Sequence, residues 1–165
     1  MSAAQPILWT PRNALQGLLI YTSGDIVAQL LLHQFNIGRV MGVMMLGATV
    51  YALEIPNWFA FIDRRVTTTL PLRRATLRTV MALLYFNPLW IARHLFCLKV
   101  FAGEVVTADL LRVAMLSWLA NLPIALVANS LIQVKVPLRW RFVASATFSG
   151  LMAVYYALSA VFWQR

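Results

Sequence analysis

Five apolar runs, each of roughly 20 residues, constrain this chain more than any other feature. They are Ala14 to Leu32, Val40 to Ile62, Thr79 to Leu98, Val113 to Gln133 and Phe142 to Trp163. A hydrocarbon core about 30 Å thick takes roughly 20 helical residues to cross. Only short gaps separate the runs, which makes them neighbouring helices of one bundle. The expected fold is an all-α integral membrane protein, a bundle of four to five transmembrane helices. It forms a single domain over 14–163, behind an N-terminal segment at 1–13.

Composition excludes the soluble alternatives. The chain is 61% hydrophobic and 12% charged, with a mean hydropathy of +0.74. Soluble domains are about 45–50% apolar and about 25% charged. A disulfide scaffold is excluded because Cys97 is alone in the sequence. The net charge of +9 is no sign of nucleic acid here. The basic residues sit in the gaps between apolar runs, where membrane proteins carry them.

Those charges are asymmetric. With five spans, the N-terminus and the gaps at 63–78 and 134–141 share one side. They carry Arg12, Arg64, Arg65, Arg73, Arg74, Arg78, Lys135, Arg139 and Arg141, against Arg39, Lys99, Arg112 and Arg165 opposite. With four spans, the third run not crossing, Arg93 joins the larger group. Charge places the N-terminus and the 63–78 gap on the positive side in either case. Five arginines of that gap, Arg64, Arg65, Arg73, Arg74 and Arg78, form a candidate site for anionic lipid headgroups such as cardiolipin. Trp9, Trp58, Trp140 and Trp163 fall near span ends, where indoles anchor at the interface. The segment before the first run has one Arg and no acid. It does not resemble a transit or secretory peptide, so either import would use internal signals or a presequence is already missing from this chain.

Polar groups inside the runs are the candidate functional positions, because each must find a partner away from water. Asp25 shares a helix face with Tyr21 and Gln29. Glu54 and Pro56 interrupt the second run. The third run is the weakest span, with Asn87, Pro88, Arg93 and His94, and reads as kinked, broken or partly interfacial. Arg93 is the obvious basic partner for Asp25 or Glu54. In the fourth run Asn121, Ala125, Asn129 and Gln133 recur every four residues and form one stripe; Pro123 would kink that helix. The candidate set is therefore Asp25, Gln29, Glu54, Arg93, Asn121, Asn129 and Gln133. It either bonds helix to helix or lines a wet path. Two small-residue faces, Gly38 with Gly42 and Ser145-Ser149-Ala153-Ala157, favour close helix packing.

Catalytic signatures are missing from the sequence. His33 and His94 have no second His or Cys at ligand spacing. No Gly-rich nucleotide loop or nucleophile elbow occurs. Cys97, near Lys99, reads as a packed thiol. A non-catalytic role without metal or cofactor is expected.

Four stretches, taken together, resemble one family. SGDIVAQLL at 23–31 resembles its Gly-Asp then Gln. GRVMGVMMLGATVYALEIPNWFAFIDR at 38–64 carries Arg39, Gly47, Trp58-Phe59 and Asp63-Arg64. The Pro88 segment is the third. LPIALVANSLIQVKVPLRWR at 122–141 carries Pro123, Ala128-Asn129, Val136-Pro137 and Arg141. Tyr156 to Ser159 resembles a closing Tyr-Leu-Ser. In these features the chain is similar to the Mpv-seventeen family, that of the twenty-two-kilodalton peroxisomal membrane protein. The resemblance spans about 14–160. It departs where the family's Gly-Pro and His give way to Ala52-Leu53-Glu54-Ile55-Pro56, and where its Asp-Gln falls at Ala82-Leu83. Leu122 replaces a Trp, and two extra residues precede Val136-Pro137. The resemblance implies about four transmembrane helices in the mitochondrial inner or the peroxisomal membrane, and a role as a small-solute pore or in metabolite homeostasis. Lost polar positions weaken the pore and favour an accessory subunit of a larger complex, such as a respiratory complex or ATP synthase. The partners expected are membrane lipids and other membrane subunits.

Overall fold

Short connectors and strong helix starts set the architecture. A computed structural model describes the backbone of residues 9–163 and the side chains up to Tyr155, except Ala153. The features noted at Ala153, Ala157, Tyr156 to Ser159, Trp163 and Arg165 lie outside those described side chains. Helix α1 is Pro11–Leu31, with Thr10 accepting from the Asn13 amide and Pro11 at its first position. Helix α2 is Ile37–Leu46, capped by Asn36. It runs through a π-helical turn at Gly47–Tyr51 into α3, Ala52–Arg65. Helix α4 is Pro71–Tyr85 and α5 is Pro88–Ala102. Helix α6 is Asp109–Lys135 and α7 is Leu138–Trp163. Among the described residues there is no strand.

Four helical stretches are long and apolar enough to cross a membrane: Pro11–Leu31, Ile37–Arg65, Pro71–Ala102 and Asp109–Lys135. Helix α7 has similar length, at 26 residues. Successive stretches reverse direction through connectors at 32–36, 66–70, 103–108 and 136–137. One end of the bundle therefore gathers Arg12, Arg64, Arg65, Arg73, Arg74, Arg78, Lys135, Arg139 and Arg141. This Arg-rich end is opposite Arg39, Lys99 and Arg112.

Two sequence expectations need correction, and a third is decided among its alternatives. The 63–78 gap is not a loop, because α4 begins at Pro71 and carries Arg73, Arg74 and Arg78 on its first turns. Proline preorganises the first helical turn, where its missing N–H costs nothing. Pro56 does not break the second run, which stays helical from Ile37 to Arg65. The π-helical turn at Gly47–Tyr51, just ahead of it, lets the backbone re-register. The third run does break, at Phe86 and Asn87, and the Asn87 side chain then accepts from the Trp90 amide at 3.0 Å to restart the helix. Its two halves together still make a full-length pass of 32 residues.

The core is built around α2 and α3. Val43, Tyr51, Ile55, Phe59 and Ile62 are fully enclosed, with Tyr21 from α1 and Phe142 and Ala146 from α7. Helix α1 lies along α7, and the two backbones nearly touch where Gly24 meets Gly150. The glycine pair of α2 receives a side chain: the Phe101 ring fills the space a Cβ at Gly42 would need. The surface of α6 is inverted relative to a soluble protein. Its amides Asn121, Asn129 and Gln133 are buried, and Leu111, Met115, Leu119, Val127 and Leu131 face outward. Exposed aliphatics along a whole helix face suit apolar surroundings, where they cost nothing.

Candidate functional site

The polar residues of the helices collect into four places. The first joins α1 to the start of α2. Asp25 is 3% exposed. Arg39 donates to its Oδ1 from Nε at 2.9 Å and Nη2 at 2.6 Å. Gln29 donates to the other oxygen at 2.6 Å and accepts from the Asn36 amide, also at 2.6 Å. Asn36 in turn donates to the Ala102 carbonyl at 3.0 Å. The connector after α1, the first turn of α2 and the end of α5 are thus held by one network. A buried carboxylate with three donors is a satisfied charge.

The second place is a charged doublet between α3 and α5. Arg93 reaches Glu54 through two parallel bonds, at 2.9 and 2.6 Å. The Tyr85 hydroxyl donates to the same carboxylate at 2.7 Å. Trp58 stacks on Tyr85 and donates to the Met81 carbonyl at 3.0 Å, so this indole belongs to the bundle's packing. The doublet faces outward, with side-chain exposures of 42% for Arg93 and 33% for Glu54. Glu54 stands about 17 Å of helix inside Arg65 and about 26 Å inside Ile37.

The third place is a cavity of about 40 Å³ among α1, α5, α6 and α7. Tyr21, His94, Asn121, Asn129 and Ser149 supply its polar walls, and Phe86, Trp90, Trp118 and Phe148 its aromatic ones. His94 is buried, Trp90 stacks on it, and its Nδ1 meets the Tyr51 hydroxyl at 2.7 Å. Tyr51 also packs on the Tyr21 ring, with centroids 4.7 Å apart. Losing that hydroxyl should cost about 1 kcal/mol, and losing the ring about 3–5 kcal/mol. Thermal unfolding in detergent should therefore rank wild type, then Tyr51→Phe, then Tyr51→Ala. Equal losses in the two variants would show that the hydrogen bond, not the ring, dominates. Gln133 lies one turn beyond Asn129 and is completely enclosed.

The fourth place is the Arg-rich end. Asp63 of α3 accepts from Arg141 of α7 at 2.6 Å and pairs with Arg78 of α4 at 2.9 Å. Arg141 also donates to the Val136 carbonyl at 3.0 Å. Arg64, Arg65, Arg73 and Arg74 are exposed around the 66–70 connector. Of the five arginines grouped from the sequence, Arg78 is therefore engaged with Asp63.

The seven candidate residues are thus distributed over three of these places. Asp25 and Gln29 belong to the first, Glu54 and Arg93 to the second, and Asn121, Asn129 and Gln133 to the third. The pairing of Arg93 is with Glu54. Sequence reasoning missed Arg39 as the partner of Asp25, along with Tyr51, Asp63 and Arg141. For Arg39 a signal existed: a short connector folds α2 back on α1 and returns it to the level of Asp25. Among the described residues, no group of three or more His, Cys, Asp or Glu gathers as a metal site would. No protein-family model, curated protein or solved structure matches this chain.

Proposed function

We propose that this chain is a multi-pass integral membrane protein of the mitochondrial inner membrane, and that it serves as a non-catalytic accessory subunit of a larger membrane complex such as a respiratory complex or ATP synthase. The observation that carries this reading is the outward-facing Glu54–Arg93 doublet, well inside the ends of its helices. Ionised side chains at such depth are costly against lipid, and polar surroundings relieve the cost. A neighbouring subunit that covers the doublet supplies them. Two further features support the same reading. Asp25 and Gln29 hold the chain's own helices together. The internal cavity of about 40 Å³ is far smaller than a metabolite. The organelle is inferred from the Arg-rich end and from the resemblance to the Mpv-seventeen family, which rests on the quoted stretches alone. Arg64, Arg65, Arg73 and Arg74 are the residues proposed to meet anionic headgroups such as cardiolipin.

The test is native electrophoresis of membranes solubilised in mild detergent, with each band identified by mass spectrometry. The wild-type chain is expected in a large band, in constant ratio to other subunits. The Glu54→Gln/Arg93→Gln double variant is expected to run largely as a small species while still folding. A wild-type chain that runs alone would end the subunit reading. A second reading, a small-solute pore of the mitochondrial inner or peroxisomal membrane, draws on the amide-lined cavity at Asn121 and Asn129. It predicts single-channel currents from the purified protein that change on Asn129→Ala.

A further inference from the structure

We propose that the cavity beside His94 is a dead-ended aqueous pocket, filled by about two or three ordered waters and open to solvent only at the Arg-rich end. It goes beyond the subunit reading and does not depend on it. The argument starts from buried polar atoms without protein partners. Asn129 is 2% exposed. Its Nδ2 bonds back to the Ala125 carbonyl at 2.9 Å, and its Oδ1 has no partner. One turn further along the same face of α6, Gln133 is 0% exposed and neither of its amide atoms has a partner. The next unmatched donor is Nε of Arg78.

These atoms are close in space because α4 packs against α6. The Thr79 hydroxyl meets that of Ser130 at 3.3 Å, which sets Arg78 beside the turn that carries Gln133. Asn129 lines the cavity, and Gln133 and Arg78 lie on its Arg-rich side, toward the Asp63–Arg78–Arg141 cluster. Orphaned amides in an apolar interior are strongly unfavourable, and ordered water is their usual remedy. Water fits on two counts. A cavity of about 40 Å³ holds a few molecules. Each molecule both donates, as Asn129 Oδ1 and Gln133 Oε1 require, and accepts, as Gln133 Nε2 and Arg78 Nε require. Toward the other end the last such atom on α1 is Thr22 Oγ1, and one turn further on the polar groups are paired. There Asp25, Gln29, Arg39 and Asn36 bond one another and the Ala102 carbonyl.

Silver-ion protection of single cysteines tests this, because Ag⁺ enters spaces of water size. The full chain is reconstituted in liposomes as a Cys97→Ser background. Asn129→Cys reports on the cavity and Leu126→Cys, on the outer face of α6, reports on lipid. Arg73→Cys marks which side the Arg-rich end faces. Ser149→Cys, on the opposite cavity wall, repeats the measurement from α7 and serves if Asn129→Cys does not fold. After exposure to Ag⁺, the protein is unfolded and the remaining thiols are counted with a maleimide. The cavity thiol is expected to react at least tenfold faster than Leu126→Cys, and only from the side on which Arg73→Cys reacts. Reaction as slow as at Leu126→Cys would mean a dry cavity and overturn the proposal. Equal reaction from both sides would also overturn it, by showing a through-path.

Discussion

Replacing Arg39 with leucine is expected to lower the stability of the bundle by about 3–5 kcal/mol. The substitution leaves Asp25 enclosed with one amide donor, from Gln29, in place of three bonds. Removing one member of a buried pair is more harmful than removing both, because the remaining charge keeps its desolvation penalty. The double variant Asp25→Leu/Arg39→Leu should therefore recover most of the loss. Unfolding by increasing SDS in mixed micelles, followed by circular dichroism, provides the measurement. A double variant as unstable as Arg39→Leu would show that the arginine acts through packing and not through the carboxylate.

Gly47→Val should be nearly as damaging, at about 3 kcal/mol. A Cβ on Gly47 would lie 2.6 Å from the Gly17 carbonyl oxygen. That obstacle is backbone, so no side-chain rotation can relieve it. Helices α1 and α2 would have to separate, opening the core beside Tyr21 and Val43. Gly103→Ala is the control. Nothing lies within 4 Å of its added Cβ, but its φ of 72° is left-handed, so the cost is about 1–2 kcal/mol from conformation alone. If the two variants unfold at the same SDS fraction, the close approach of α1 and α2 contributes nothing beyond backbone preference.

The sequence made some of this architecture legible and hid the rest for physical reasons. The positions of the long apolar helices followed from apolar run length, and the face shared by Tyr21, Asp25 and Gln29 from helical periodicity. The stripe on α6 was legible in the same way, and all of its amides are inside. The start of α4 was misread because Arg73, Arg74 and Arg78 lower the hydropathy of its first turns, although Pro71 is a strong helix-start residue. Pro56 was overrated because the π turn that accommodates it has no sequence signature. Partners were hardest to see. Arg39 looks like a connector charge until α2 is folded back on α1. Asp63 draws Arg78 and Arg141 from positions far apart in the chain. No local pattern encodes that meeting at Asp63.

The contact of Gly24 with Gly150 has a consequence for how the bundle closes. Helix α1 is the first of the described helices in sequence, and the helix against which its glycine face closes is the last. The Asp25–Arg39 bond is local, because α1 and α2 form a hairpin across a short connector. The opposite side of α1 needs the far end of the sequence. Without α7, the contacts of α1, α2, α5 and α6 trace an open curve, and α7 closes it into a ring.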